Sequence, residues 1–327
     1  MDGPRKNHDL ARIMADGKES FTKVMKGIEL LKKYNVDFNI LTVVTEQLSK
    51  KASALYRFYK RNGFNYVQLI PCMDEEERQS GLSRDENKES IFINADKKQS
   101  ELDITDDDKK ESTFINIDEK QSEPYITDVD KKENTFINVA TKQSESDVTG
   151  DENKDVTYAI KPESYGRFLN EFFDMWYEDF KCGDIMDVRM FSNLAQMTVG
   201  YPPEECGMCG KCDAYFVVEG DGSVYPCDFY CMDEYRLGTV KDSFINLKNS
   251  EKVKEFESTS VIKSEKCRKC EYYDLCRGVC RRFRETGINE DGVNYLCEGY
   301  KLFFGHTKER FIKLGQTIIN PAARRNL

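Results

Sequence analysis

Eight of the twelve cysteines in this 327-residue chain are spaced to hold metal: Cys206, Cys212, Cys227, Cys267, Cys270, Cys276, Cys280 and Cys297. Two thiols separated by two residues, as in Cys267-Arg-Lys-Cys270, clasp one corner of a metal centre but close only a strained disulfide ring. Cys212 and Cys227 bracket Ala214–Glu219, Gly220-Asp-Gly222 and Ser223–Pro226, a pattern that predicts a hairpin turning at the glycines and brings its two ends together. Cys206-Gly-Met-Cys-Gly-Lys-Cys212 supplies a loop for a further ligand, and the spacing of four between Cys276 and Cys280 suits one helical turn. Four thiolates hold either Zn2+ in a closed structural site or a [4Fe-4S] cube. Spacing alone neither chooses between these nor says which four cysteines share a centre.

The elements that must position these thiols begin far upstream. Phe21, Val24, Met25, Ile28 and Leu31 recur at intervals of three and four, which predicts an amphipathic helix over 17–35. Asp37 to Thr45 is β-branched and largely apolar, as a strand covered on both faces would be. A second helix follows over Ala52–Arg61, stopped by Asn62-Gly63, and a second strand over Tyr66–Ile70, ended by Pro71. Helix, strand, helix, strand with short connections is the order of a parallel α/β sheet. Beyond it, Phe168, Leu169, Phe172, Phe173 and Trp176 form one apolar face of a helix over Pro162–Phe180, read as core packing.

Between these segments lies a repeat. Glu89-Ser-Ile-Phe-Ile-Asn94 recurs as Glu111-Ser-Thr-Phe-Ile-Asn116 and Glu133-Asn-Thr-Phe-Ile-Asn138, a period of 22 residues. Asp85-Glu-Asn-Lys88 returns as Asp151-Glu-Asn-Lys154, so the stretch reads as a tandem duplication inserted into a loop. Eighteen acidic residues against nine lysines between Asp85 and Gly150 carry −9 of the chain's net −10. With few apolar residues per unit, this insert is expected to be disordered and is assigned no chemistry. The rest of the chain is near neutral, which gives no single-sign field for nucleic acid or an anionic membrane. No apolar run reaches transmembrane length and no signal-peptide core is present, so the expectation is a cytoplasmic protein in a reducing compartment, its thiols free for metal.

The order C-x5-C-x14-C, then C-x2-C-x5-C-x3-C, then one more cysteine resembles the SPASM auxiliary-cluster domain of radical S-adenosylmethionine enzymes, and most of all the anaerobic sulfatase-maturating enzymes. The resemblance is carried by Cys206-Gly-Met-Cys-Gly-Lys-Cys212, Phe216-Val-Val-Glu-Gly-Asp-Gly-Ser-Val-Tyr-Pro-Cys-Asp-Phe-Tyr230, Arg236-Leu-Gly-Thr-Val240 and Leu275-Cys-Arg-Gly-Val-Cys-Arg-Arg282. Upstream it extends through Asp2-Gly-Pro4, His8-Asp9, Tyr34–Leu41 and Ile70-Pro-Cys-Met-Asp74. It implies two [4Fe-4S] clusters with interleaved ligands: Cys206, Cys212, Cys227 and Cys280 for cluster I, and Cys267, Cys270, Cys276 and Cys297 for cluster II. It further implies that Asp228 is the general base, taking a proton as a cysteine or serine of a sulfatase is oxidised to the aldehyde formylglycine. A carboxylate shielded from water beside an anionic cluster would suit that task; the plainer reading is an acceptor for turn amides. A flavodoxin- or ferredoxin-like electron donor is the implied partner beside the peptide substrate. Cys72, Cys182, Cys209 and Cys231 match no role, and His8 and His306, the two histidines, are expected to be surface or capping residues.

The fold implied is α/β: the C-terminal part of a partial (β/α)6 barrel over 1–84, the insert over 85–150, a helical linker region over 151–200, and a cysteine-rich SPASM domain with a hairpin and short helices over 201–327. No three cysteines show the C-x3-C-x2-C spacing with which the family binds and cleaves S-adenosylmethionine, and Met1-Asp2-Gly3-Pro4 matches the interior of a family segment. The chain is therefore expected to be an N-terminally truncated maturase, with S-adenosylmethionine belonging to a longer parent. Two rival readings remain: a maturase of another ribosomal peptide, and a non-catalytic iron-sulfur or zinc module.

Overall fold

The computed structural model describes residues 1–73, 158–262, 264–285 and 292–320. All of these belong to one compact unit; the repeats lie outside the described residues. The chain opens with α1 (Arg5–Ala11) and α2 (Phe21–Lys33). The second helix starts with its first apolar position, Phe21, rather than at the expected residue 17, because the Asp9 carboxylate accepts the backbone N–H groups of Ser20 and Phe21, at 3.1 and 2.9 Å, and so caps it there. His8 corrects the expectation of a surface residue: it is buried, accepts the Asp2 N–H at Nδ1 and pairs through Nε2 with Ser20 Oγ at 2.9 Å. Burial lowers its pKa, as a ring that gives up solvent should.

A parallel sheet follows. Strand β1 (Ile40–Val44) leads through α3 (Glu46–Ser49) and α4 (Ala52–Asn62) to β2 (Tyr66–Pro71), with Ile40 opposite Val67 and Val44 opposite Pro71. The helix α4 ends where Gly63 takes φ +60°, a conformation open to glycine. Strand β1 is not covered on both faces: Ile40, Thr42 and Val44 point inward while Leu41 is half exposed. Its backbone is bound by the chain start, with the Met1 amino group donating to Leu41 O at 2.7 Å and Val43 N–H donating to Asp2 Oδ1 at 3.0 Å. Strand β3 (Asp187–Val188) extends the sheet beside β2, again parallel.

Two long helices back this sheet, α5 (Pro162–Cys182) before β3 and, at the far end of the chain, a helix over Cys297–Ile319. Between them come α6 (Arg189–Met197), β4 (Val217–Val218), β5 (Ser223–Tyr225), β6 (Gly238–Thr239), α7 (Phe244–Lys248), α8 (Glu251–Thr259), α9 (Glu265–Arg268) and α10 (Tyr273–Cys276); the last helix is α11. The apolar face read from sequence in α5 is fully committed to the core. Phe173 meets Phe311 at 4.8 Å and Phe191 at 5.2 Å between ring centroids, and Trp176 donates its indole N–H to Met186 O at 2.6 Å. Each fully buried ring of this kind contributes about 1.5–3 kcal/mol over exposure.

One crossing fixes the start of the last helix. A Cβ on Gly299 would lie 2.1 Å from Pro162 O, and one on Gly166 would lie 2.6 Å from Gly299 O. The backbones of α5 and α11 thus touch, which pins the first turn of α11 and with it Cys297. The predicted hairpin is present as antiparallel β4 and β5, with Val217 opposite Tyr225 and a turn in which the Asp221 carboxylate accepts Ser223 N–H and O–H. The ladder is shorter than its sequence pattern because Phe216 takes φ 58° and breaks the strand.

Candidate iron-sulfur and substrate site

A cavity of about 240 Å³ opens between the parallel sheet and the cysteine-rich segment. Leu41, Leu69, Ile70 and Pro71 form one wall; Cys206, Cys212, Cys227 and Cys280 are all on the other, with Asp228 and Tyr215 among them. Cys206 begins a short 3-10 turn whose entry is held by Asn193 Oδ1, accepting Glu204 and Glu205 N–H at 2.6 and 3.2 Å. The loops of Cys206 and Cys280 run in contact, since a Cβ on Gly207 would lie 3.3 Å from Cys280 N. Cys212 donates its N–H to Ser260 Oγ at 2.8 Å, and Cys227 follows β5 after Pro226. The hairpin therefore does bring Cys212 and Cys227 to one place.

Cys276 and Cys280 do not share a helical turn. The helix α10 ends at Cys276, and Arg277, Gly278 and Val279 follow with φ of 45°, 75° and 55°. Three left-handed residues in succession reverse the chain and send the two thiols to different places. Cys276 joins Cys267 in α9, Cys270 just after it and Cys297 at the start of α11. Asn294 ties this group together: its Oδ1 accepts Leu296 N–H at 2.7 Å and its amide donates to Gly278 O at 3.3 Å.

Electrostatics sort the eight thiols in the same way. Burial pushes Cys280 up to about 12, and Cys206, Cys212 and Cys227 add to the effect. Burial likewise pushes Cys276 up to about 12, with Cys297, Cys267 and Cys270 as the added neighbours. Cys227 also reaches about 12 through burial, against which the Tyr215 hydroxyl works. Cys212 is raised by burial while Arg281 and Arg284 pull it back. Arg281 is itself buried, donates to Phe256 O at 2.9 Å and is paired with Glu285. No pair of cysteines is linked, and among the described residues no group of three or more His, Cys, Asp or Glu converges closely enough for a single metal ion.

Asp228 Oδ1 accepts the Tyr215 hydroxyl at 2.5 Å and Phe229 N–H at 3.0 Å, and lies 3.2 Å from Cys227 Sγ. It is thus an acceptor for a turn amide and a cavity-lining carboxylate at once. Cys209 and Cys231 turn their sulfurs toward backbone carbonyls of Pro203, Glu205 and Cys227, and Cys182 is exposed. His306 pairs with Asp174 at 2.8 Å on the surface. Sequence reasoning missed Tyr215 and Glu205. Glu205 lines the cavity with a buried carboxylate oxygen that has no hydrogen-bond partner among the described residues, and burial raises its pKa.

An iron-sulfur cluster-binding domain family, SPASM, matches residues 206–271. The cysteine-type anaerobic sulfatase-maturating enzyme of Clostridium perfringens is 32% identical over 320 residues, covering 97% of this chain and 67% of that relative. The chain belongs to the anaerobic sulfatase-maturating enzymes. It spans about two thirds of the length of the curated relatives it matches. The serine-type sulfatase-maturating enzyme of Bacteroides thetaiotaomicron is 26% identical over 332 residues, covering 100% of this chain and 65% of that protein. Among solved structures, native anSMEcpe with bound AdoMet superposes with a TM-score of 0.70 at 31% identity, over 97% of this chain and 68% of that one. The same protein with AdoMet and Cp18Cys peptide gives 0.69 at 31% identity, over the same shares. The fold of this maturase-family chain is that of the radical S-adenosylmethionine enzymes, a parallel α/β sheet followed by a SPASM domain.

Proposed function

We propose that this protein takes part in oxidising a cysteine or serine side chain of a sulfatase peptide to formylglycine, and that its described residues supply the auxiliary cluster sites, the base and a wall of the peptide cleft. The observation that carries the reading is the cavity that four cysteines share with Asp228 and the strand residues Leu69–Pro71. In this reading Cys206, Cys212, Cys227 and Cys280 hold one [4Fe-4S] cluster, and Cys267, Cys270, Cys276 and Cys297 hold a second. The donor sets fit such groups: each brings four cysteine thiols together, the ligand number a [4Fe-4S] cluster takes.

When bound, a cluster of this kind accepts and passes on one electron at a time. The chain's own residues do the rest. Buried Leu69, with Ile70 beside it, lines the cleft with apolar surface and keeps water from the reacting side chain. Asp228, pointing into that cleft beside Cys227, takes the proton released as the target side chain is oxidised. Arg281 and Arg284 place positive charge beside Cys212, where added electron density would collect. The second cysteine set lies outside the cavity lining, which suits electron transfer to or from a flavodoxin- or ferredoxin-like partner. The C-x3-C-x2-C motif is absent from these 327 residues, so no step is derived through an S-adenosylmethionine cluster.

Anaerobic co-expression with a cysteine-type sulfatase and with a segment that supplies the C-x3-C-x2-C cluster absent from these 327 residues tests the proposal. Aldehyde on the sulfatase, read by hydrazide labelling, is the expected result, and Asp228→Asn should abolish it while leaving the iron content unchanged. The missing motif favours a second reading, a non-catalytic iron-sulfur module that carries electrons or holds a peptide; wild-type chain with full iron but no aldehyde would select it.

A further inference from the structure

The backbone around Tyr215 aims its side chain at the base. Phe216, next in sequence, has a left-handed φ of 58° and rests its ring on Phe244 at 4.9 Å. Just before that break, Tyr215 N–H still donates across the hairpin to Pro226 O at 3.1 Å, which fixes Tyr215 opposite Pro226-Cys227-Asp228. Its hydroxyl then lies 2.5 Å from Asp228 Oδ1 and 3.2 Å from Cys227 Sγ. Those two atoms are themselves 3.2 Å apart.

In the metal-free chain a protonated Cys227 can donate to the carboxylate. An iron-bound sulfur has no proton, so a thiolate and a carboxylate then face each other at that separation and repel. The Tyr215 O–H is the side-chain donor within reach of both, while Phe229 N–H reaches only the carboxylate, at 3.0 Å. A packing role explains little, because half of the Tyr215 side chain is exposed. Holding a non-glycine residue at left-handed φ next to it is the kind of backbone strain kept where a side chain must be aimed.

We propose that Tyr215 is a positioning residue whose single hydroxyl proton, shared between the Asp228 carboxylate and the iron-bound Cys227 sulfur, holds the two side by side and makes cluster I easier to reduce. This rests on the reading of Cys227 as a cluster ligand and Asp228 as the base. A donor directed at a ligand sulfur stabilises the more negative, reduced state, so its removal shifts the reduction potential downward.

The test is an EPR-monitored redox titration of the anaerobically reconstituted full chain, wild type against Tyr215→Phe, with the Cys276→Ala background used to identify cluster I. Tyr215→Phe should move the cluster I potential to a more negative value, leave cluster II unmoved and keep the iron and sulfide content. Tyr215→His, which retains a donor, should lie nearer the wild type. An unmoved cluster I potential in a fully loaded variant overturns the inference and leaves the proposed function standing, as does an equal shift of both clusters. A wild-type chain that takes up no iron at Cys206, Cys212, Cys227 and Cys280 overturns both together.

Discussion

The two cysteine sets have the same ligand chemistry and different surroundings. Cys206, Cys212, Cys227 and Cys280 face a cavity that also holds Asp228, Tyr215, Arg281 and Arg284. Cys267, Cys270, Cys276 and Cys297 sit at helix ends, outside that cavity lining, with Lys301 and Glu298 as the charged neighbours of Cys297. Equal thiol number does not set the two apart; their neighbouring residues do. In the proposed function, the set that shares its space with a carboxylate and a cleft meets the substrate, and the set at helix ends passes electrons.

Breaking one set at a time gives the largest expected effect. Cys280→Ala should remove about half of the iron and leave cluster II, whereas Cys276→Ala should remove the other half and leave cluster I, as EPR of the reduced proteins would show. Only the reversal at Arg277-Gly278-Val279 separates these two cysteines, so opposite outcomes from positions four apart would test the interleaving sharply.

A packing change should distinguish the sets next. Gly299→Ala inserts a methyl where Pro162 O would be 2.1 Å away, so α11 must shift. A cost of about 1–3 kcal/mol in denaturant unfolding is expected, with iron lost preferentially from the set that includes Cys297.

Alkaline titration of the metal-free chain follows. Burial pushes the folded-state values of Cys227, Cys276 and Cys280 to about 12 from an ordinary 9.0. The unfolded chain therefore loses these protons first. Stability should be intact below that ordinary value and fall as pH rises toward 12, and Cys227→Ala should soften the decline. Denaturation midpoints at stepped pH would measure it.

The smallest effect is expected at Glu205. Burial raises its folded-state value, so its stability contribution is greatest at acid pH and is lost as pH rises through that value. Glu205→Gln should raise stability at neutral pH by about 1 kcal/mol and show little difference in acid, measured by thermal melts at both ends.

Much of this arrangement could be read from sequence because it is local. Phe168, Leu169, Phe172, Phe173 and Trp176 announce a buried helical face, and Asp221 between two glycines announces the turn that pairs β4 with β5. The cluster spacing also carries the family resemblance. What could not be read depends on contacts between distant segments. Residues 17–20 are kept out of α2 by the Asp9 carboxylate, and His8 is buried through Asp2 and Ser20. The helical turn expected at Cys276–Cys280 fails on three left-handed residues, two of them, Arg277 and Val279, not of a type that signals such a conformation. Tyr215 carries no signal of its own in the sequence; its hydrogen bonds to Pro226, Asp228 and Cys227 place it opposite the latter two.

Iron, acid-labile sulfide and zinc counted on the anaerobically reconstituted wild-type chain test the central claim most directly. Two [4Fe-4S] centres predict about eight irons and eight sulfides per chain, with no zinc. One or two zinc ions without sulfide would contradict the account.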